Sequence, residues 1–216
     1  MSSPSPKLNL HSGLAIGYRQ PLATVREAIQ LDQGTHFLIA RNGRGKTTLL
    51  RTLAKTLKQV EGAFEAEGKM QYLPEDLRFD PEITAGGIFK SLLPASRLKA
   101  ANELADRVEL DLHKPYGKLS TGNRRKTHLI VAEHSVKEAC GNILLLDEPF
   151  SGLDAYAREI FENIWHQSSE AVLRLVSCHP DYDSMGMPSA IMIHGKSIHH
   201  TVGTDQTWSE LKHQLN

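Results

Sequence analysis

HFLIARNGRGKTT, residues 36–48, sets the architecture of this 216-residue chain. A short apolar run leads into a loop with two glycines, Gly43 and Gly45, and a helical pattern follows it. The leucines expected on one face of that helix are Leu49, Leu50, Leu53 and Leu57. The order of strand, glycine loop and helix predicts an α/β fold.

The loop has the chemistry of a phosphate-binding site. Gly43 and Gly45 allow backbone N–H groups to turn inward around phosphate oxygens, and the helix directs the positive end of its dipole at them. Lys46 is expected to reach the β- and γ-phosphates, and Thr47 to offer its hydroxyl to Mg²⁺. The predicted nucleotide contacts are Asn42, Gly43, Arg44, Gly45, Lys46, Thr47 and Thr48. By itself, the loop indicates a nucleoside triphosphate ligand.

Ala40 stands where the usual pattern of such loops opens with glycine. A methyl group is tolerated at a loop entrance when the residue has a negative φ. We therefore expect Ala40 to leave the loop functional.

Two adjacent carboxylates follow a second apolar run. Residues 142–146 predict a buried parallel strand that delivers Asp147 and Glu148 at its carboxyl end, the edge where α/β sheets bind ligands. We expect Asp147 to hold Mg²⁺ through water and Glu148 to orient and deprotonate the attacking water. An acid-rich surface turn is the alternative, and the aliphatic residues before it disfavour that interpretation.

The composition restricts the class of partner. Lys and Arg total 25, as do Asp and Glu, so no net field attracts nucleic acid or anionic lipid, and we expect no nucleic-acid partner. No run approaches the roughly 18 apolar residues that span a bilayer, which predicts a chain outside the membrane. Cys140 and Cys178 lack metal-ligand spacing, so we expect buried thiols in the cytoplasm rather than a disulfide.

Taken in order, these motifs resemble those of the ABC ATPase family along nearly the whole chain. LSTGN, residues 119–123, resembles the family signature, although Thr121 and Asn123 depart from its commonest form. Ser120 and Gly122 match the positions that contact the γ-phosphate through a hydroxyl and a backbone N–H. Taken alone, LSTGN can also be interpreted as a segment in which Ser120 does no more than cap a helix.

The resemblance assigns further site residues. Tyr18 resembles the aromatic residue that stacks on adenine, with an ordinary strand aromatic as the alternative. The segment SGLD, residues 151–154, is similar to the family's loop that lies at the nucleotide site and communicates across the dimer, and Asp154 is its predicted nucleotide-site residue. His179 occupies the position of the histidine that contacts the γ-phosphate, and with Lys46 and Glu148 it completes the predicted catalytic set.

The segment QYLPE, residues 71–75, places Glu75 where the family carries a glutamine that senses Mg²⁺. A register that uses Gln71 is the alternative. We hypothesise that Glu75 ligates Mg²⁺ or its water as a third carboxylate, which raises one apparent pKa unless the metal neutralises the cluster. Similar YLPE loops occur in compact two-component ABC exporters, which favours export.

The resemblance implies one ABC ATP-binding domain over residues 1–216. Its expected fold is a P-loop NTPase core with a mostly parallel sheet, an N-terminal antiparallel β part and a small helical subdomain at about 76–118. In that subdomain Thr84 is a predicted helix cap, and Pro94 ends a helix whose common apolar face contains Ile88, Phe89, Leu92 and Leu93. Residues 190–203 resemble a closing hairpin with Gly195 at its turn. Alternating strand positions explain three histidines there more simply than a metal site: His194, His199 and His200.

The implied function is that of the ATP-binding and ATP-hydrolysing subunit of an ABC transporter. Two copies would close head to tail, so that Lys46 and Glu148 of one face Ser120 of the other across ATP. This homodimer would drive a separate integral membrane subunit from the inner face of the membrane. A non-transport ABC ATPase acting on nucleic acid, the ribosome or cofactor assembly is the alternative. The single ATPase domain and the lack of a basic stripe disfavour it.

Overall fold

Two β-sheets frame the fold in a computed structural model, which describes residues 5–136, 141–167, 171–178 and 185–215. The strands are β1 Lys7–Leu10, β2 Ala15–Gly17, β3 Pro21–Val25, β4 Ile29–Leu31, β5 Gly34–Ala40, β6 Phe64–Glu67, β7 Lys69–Leu73, β8 Asn142–Asp147, β9 Val172–Ser177, β10 Ser189–His194 and β11 Ser197–Val202. The α-helices are α1 Lys46–Leu53, α2 Ala85–Leu92, α3 Ala95–Arg107, α4 Thr121–His134, α5 Ala155–Gln167 and α6 Trp208–Lys212.

The larger sheet has eight strands in the order β2-β3-β11-β10-β5-β9-β8-β7. Its centre is parallel, because β5 pairs in parallel with β10 and β9, and β9 pairs in parallel with β8. The smaller sheet, β4-β1-β6, is antiparallel and comes from the N-terminal part of the chain. This arrangement, with its helices, confirms the predicted fold class.

The described residues form two compact units. The first contains those within residues 1–72, 138–148 and 170–216, and therefore nearly all of both sheets together with α1 and α6. The second contains those within residues 73–137 and 149–169, and therefore α2, α3, α4 and α5. The phosphate loop and the Asp147–Glu148 pair thus belong to the first unit, whereas LSTGN and SGLD belong to the second.

Helix α1 packs its apolar face into the core of the first unit. Leu49, Leu50 and Leu53 are completely buried, as predicted. The prediction for Leu57 is wrong, because α1 ends at Leu53 and Leu57 lies beyond it, partly buried. Lys55 has a φ of 59°, and a left-handed residue just past the last turn stops an α-helix.

The start of α2 follows the prediction, but its end does not. Thr84 caps the helix, since its hydroxyl accepts a hydrogen bond from the Gly87 N–H at 3.1 Å. Leu92 was predicted to share the buried face, yet it is 50% exposed. Leu92 is the last residue of α2, and Leu93 is already extended before Pro94, so Leu93 is buried from outside the helix rather than on its apolar face.

The closing hairpin of β10 and β11 is present, with Gly195 at its turn in a left-handed conformation, φ 57°. Within the described ranges, no group of three or more His, Cys, Asp or Glu residues is arranged to hold a metal ion. Instead, the Ser189 hydroxyl forms hydrogen bonds with two histidines. Its Oγ lies 2.8 Å from His200 Nε2 and 2.7 Å from His36 Nδ1. Among the helices of the described residues, none is both long and apolar enough to cross a bilayer.

Candidate nucleotide site

The phosphate loop connects β5 to α1. Ala40 ends β5, where it is buried and pairs with Ile193. Ala40 is not among the described non-glycine residues with a positive φ. It therefore has the negative φ at which a methyl group is tolerated at the loop entrance. Gly45 is the N-cap of α1 with a φ of 109°, and no side chain caps the helix. An uncapped, glycine-led helix start is the arrangement that binds phosphate oxygens.

The predicted loop residues differ in burial. Asn42, Gly43 and Arg44 are exposed, Thr47 is half-buried, and Gly45, Lys46 and Thr48 are buried. The exposed residues remain accessible to a ligand, while Lys46 is held inside with its side chain only 9% exposed.

Tyr18 lies in the hairpin of β2 and β3, which packs on the phosphate loop. A Cβ at Gly45 would lie 2.9 Å from Leu22 Cδ2 and 3.4 Å from Ile16 Cδ1, so this hairpin touches the start of α1. The Tyr18 side chain is 70% exposed. An exposed aromatic ring on a hairpin that contacts the loop suits the predicted stacking on adenine.

Asp147 is held by hydroxyl groups on both of its carboxylate oxygens. It ends β8, pairs with Ser177 of β9 and is 1% exposed. Ser177 Oγ donates to Asp147 Oδ1 at 2.8 Å, and the Tyr72 hydroxyl donates to Oδ2 at 3.2 Å. Neither donor was predicted from the sequence.

Glu148 turns back towards the phosphate loop. Its φ of 46° is left-handed, a conformation that costs a non-glycine residue about 1–3 kcal/mol. The Glu148 N–H donates to Ser177 Oγ at 2.9 Å, and Oε1 lies 3.3 Å from Lys46 Nζ. The structure therefore brings together Lys46 and Glu148, two of the three predicted catalytic residues.

Tyr72 remains a hydrogen-bond donor at neutral pH. Burial raises the pKa of its phenol to about 12, and the negative charge of Asp147 adds to the increase, whereas Arg51 opposes it. A phenol with this pKa keeps its proton throughout the physiological range.

The donor set of the first unit fits Mg²⁺. The Thr47 hydroxyl and the Asp147 carboxylate offer the oxygen ligands that this ion prefers. Each oxygen of Asp147 accepts one of the described hydroxyl bonds and keeps a second acceptor position, which suits a metal-bound water. Glu75 is exposed, belongs to the second unit and accepts a hydrogen bond from Arg125 at its backbone oxygen, 3.0 Å away. Its role towards the metal stays a prediction.

In the second unit, LSTGN packs against SGLD. Ser120 is the N-cap of α4 and accepts from the Asn123 N–H at 3.2 Å, and its contact with the γ-phosphate stays a prediction. A Cβ at Gly122 would lie 2.5 Å from the Gly152 carbonyl oxygen, closer than real Cβ contacts. The absence of a side chain at Gly122 is therefore needed for this packing.

Asp154 has two partners in the second unit. Its Oδ1 accepts from the Ala157 N–H at 2.7 Å at the start of α5, and its Oδ2 lies 2.9 Å from Lys126 Nζ. The Ala157 N–H, followed by Lys126, holds the pKa of Asp154 below its usual value. Lys126 lies in the basic run Arg124–Lys126 directly after LSTGN, but its pairing with Asp154 was not predicted.

Two predicted residues, His179 and Cys140, lie outside the described residues. Cys178 is described, and it is buried, as predicted.

Comparisons with known proteins identify the family. Residues 28–151, more than half of the chain, match the family described as ABC transporter. An uncharacterised ABC transporter ATP-binding protein of Methanocaldococcus jannaschii is 31% identical over 176 residues, which cover 76% of this chain and 65% of that protein. The cytochrome c biogenesis ATP-binding export protein of Zymomonas mobilis is 30% identical over 172 residues, 72% of this chain and 73% of that protein.

The fold has a close counterpart among solved structures. A bacterial Atm1-family ABC exporter with ATP bound superposes with a TM-score of 0.78 at 15% identity, covering 99% of this chain and 43% of that chain. This chain thus spans less than half of the exporter chain and 65% of the Methanocaldococcus relative. The matched segment contains the phosphate loop, LSTGN and the Asp147–Glu148 pair. The chain belongs to the ABC transporter family.

Proposed function

We propose that this chain binds ATP with Mg²⁺ and hydrolyses the ATP as the ATP-binding subunit of an ABC transporter. One observation carries the proposal. The Lys46 ammonium lies 3.3 Å from the Glu148 carboxylate, where β8 ends next to the phosphate loop. Lys46 would bind phosphate and Glu148 would act as the base for water. Glu148 directly follows Asp147, the proposed metal ligand, in the sequence.

The loop would hold the phosphates, and the carboxylates would serve the chemistry. Backbone N–H groups of residues 42–48 and the Lys46 ammonium bind phosphate oxygens. Thr47 and Asp147 hold Mg²⁺, which neutralises phosphate charge when bound. Glu148 accepts the proton of the attacking water at its carboxylate, and His179 is proposed to contact the γ-phosphate.

Lys46 has competing partners in this scheme. In this proposal the Glu148 carboxylate and the ATP phosphates, which are both anionic, compete for the Lys46 ammonium. As the ammonium turns to the phosphates, the Glu148 carboxylate becomes available to hydrogen-bond the attacking water.

We further propose that two copies close head to tail around ATP. Ser120 and Gly122 of one copy contact the γ-phosphate held by the other, and the position of Ser120 at the amino end of α4 supports anion binding there. Asp154 belongs to the loop that communicates across this dimer. Residues 1–216 then act as one ATP-binding domain, with a helical subdomain at about 76–118.

The partner in this proposal is a separate integral membrane subunit. The chain works in the cytoplasm at the inner face of the membrane through that partner, and the cargo is exported. The QYLPE segment supports export, as does the Zymomonas relative, whose name includes an export function.

Co-expression with a polytopic membrane protein from the neighbouring open reading frame tests the transport function. We expect the two proteins to co-purify and the complex to hydrolyse ATP only with Mg²⁺. Bound RNA or DNA in place of a membrane subunit would support the non-transport alternative. Absence of ATP turnover in the complex would reject the proposed activity.

Glu75 offers a separate test of the metal site. If Glu75 ligates Mg²⁺ or its water, Glu75→Gln should raise the Mg²⁺ concentration for half-maximal ATPase activity by about tenfold or more. Glu82→Gln is the matched control, because Glu82 is another exposed glutamate of the second unit. Indistinguishable Mg²⁺ curves for Glu75→Gln and the parent would remove Glu75 from the metal site.

A further inference from the structure

The Ser177 hydroxyl bonds both acidic residues of the proposed hydrolysis site. It accepts the Glu148 N–H at 2.9 Å and donates to Asp147 Oδ1 at 2.8 Å. Ser177 is completely buried, so solvent has no direct access to replace its hydroxyl. Loss of this one oxygen would leave a buried carboxylate oxygen and a peptide N–H each short of a partner.

The strand register explains why one serine reaches both residues. Asp147 and Ser177 are paired in the parallel ladder of β8 and β9, and each ends its strand. The chain leaves β8 through the left-handed conformation of Glu148. The bond from the Glu148 N–H to Ser177 fixes this peptide, and the turn directs the Glu148 carboxylate to Lys46.

Tyr72 contacts Asp147 from the opposite side. In the sheet, β8 lies between β9, which carries Ser177, and β7, which carries Tyr72. The Asp147 carboxylate thus has one hydroxyl donor from each neighbouring strand, on Oδ1 and on Oδ2. Two donors on opposite strands restrict the rotation of a carboxylate more than either would alone.

We propose that Ser177 and Tyr72 are positioning residues: their hydroxyls fix the orientation of the Asp147 carboxylate, and Ser177 also fixes the turn that aims Glu148. This inference rests on the proposed ATPase function. Neither hydroxyl is assigned a contact with the nucleotide, so both act through the carboxylates. Their loss should therefore impair the chemical step more than ATP binding.

Steady-state ATPase kinetics test this division. Ser177→Ala should lower kcat about 100-fold while KM for ATP changes less than about twofold, since small misplacements of catalytic groups have effects of this size. Tyr72→Phe keeps the ring and removes one donor, so we expect a decrease of about tenfold. Ser189→Ala is the matched control. Ser189 lies on β10 of the same sheet, and its hydroxyl also bonds two side chains, those of His36 and His200. This variant should keep the parental kcat.

Amide hydrogen exchange, followed by NMR on the chain alone, supplies a measurement independent of turnover. In Ser177→Ala the Glu148 amide loses its acceptor, and its exchange should accelerate at least about tenfold relative to the amides of β8. Tyr72→Phe should leave this amide protected, because the Tyr72 bond goes to Asp147 Oδ2 and not to the Glu148 peptide. A general loss of packing would instead accelerate exchange along β8 in both variants.

The outcomes separate this inference from the proposed function. Parental kcat and parental Glu148 protection in Ser177→Ala would overturn the inference, even if Glu148→Gln abolishes turnover. A parent that never hydrolyses ATP would overturn the proposed function, and hydrogen exchange would still decide whether Ser177 fixes the turn. If Ser177→Ala does not fold, Tyr72→Phe decides: parental kcat there would reject the positioning of Asp147 from both sides.

Discussion

Replacement of Glu148 by glutamine is expected to lower kcat for ATP hydrolysis by about 10² to 10⁴-fold, the usual contribution of a general base. Glutamine has nearly the same shape, and its backbone N–H keeps the bond to Ser177, but an amide cannot accept the proton of water. ATP binding should persist, because the phosphate loop is unchanged. Phosphate release and equilibrium nucleotide binding, measured on the same preparation, check both halves of the expectation.

The same variant reports on the proposed dimer. With hydrolysis blocked, ATP and Mg²⁺ should accumulate closed dimers, which light scattering detects as a doubling of mass. Glu27→Gln, an exposed glutamate in the same unit, is the control and should behave like the parent. A Glu148→Gln protein that turns over ATP at the parental rate would contradict the base role, and one that stays monomeric in saturating ATP would contradict the dimer.

Replacement of Lys46 by methionine should weaken ATP binding by about 100-fold, because charge-assisted bonds to phosphate oxygens contribute about 1.5–3 kcal/mol each. Methionine preserves the unbranched, apolar part of the lysine side chain, which is mostly buried. The change also removes the cation 3.3 Å from Glu148, so a decrease in thermal stability should accompany the loss of affinity. Isothermal titration with ATP and thermal melting measure the two effects separately.

A double variant, Lys46→Met with Glu148→Gln, separates these causes. Removal of both charges should restore part of the stability, since the side chain that faced Lys46 is no longer charged, while the ATP affinity stays low. Parental ATP affinity in Lys46→Met would remove Lys46 from the phosphate site. Stability that fails to recover in the double variant would show that the ion pair does not account for the loss.

The central elements could be predicted because their signals are local. The apolar run before Gly43 and the apolar run before Asp147 each indicate a buried strand. Each is followed by residues whose type alone indicates their chemical role. The ends of helices were less predictable, as Leu57 and Leu92 show. Leu57 continues the helical spacing past the residue where the backbone has left α1, whereas Leu92 is the last residue of α2 and is exposed there.

The hydroxyls around Asp147 could not be predicted in the same way. Their contacts depend on the order of strands in the sheet, and Tyr72 and Ser177 are far from Asp147 in sequence, on either side of it. A serine at the end of an otherwise apolar strand was the available signal for Ser177. The partnership of Lys126 with Asp154 likewise required the tertiary structure, and the role of His179 stays a prediction.

The close approach of Gly122 and Gly152 has a mechanical consequence. With 2.5 Å between a hypothetical Cβ on Gly122 and the Gly152 carbonyl oxygen, the two backbones are in direct contact at this point. A displacement of residues 151–154 is therefore transmitted almost rigidly to the first turn of α4, where Ser120 lies. If a second copy presses on one of these segments, the other must move with it.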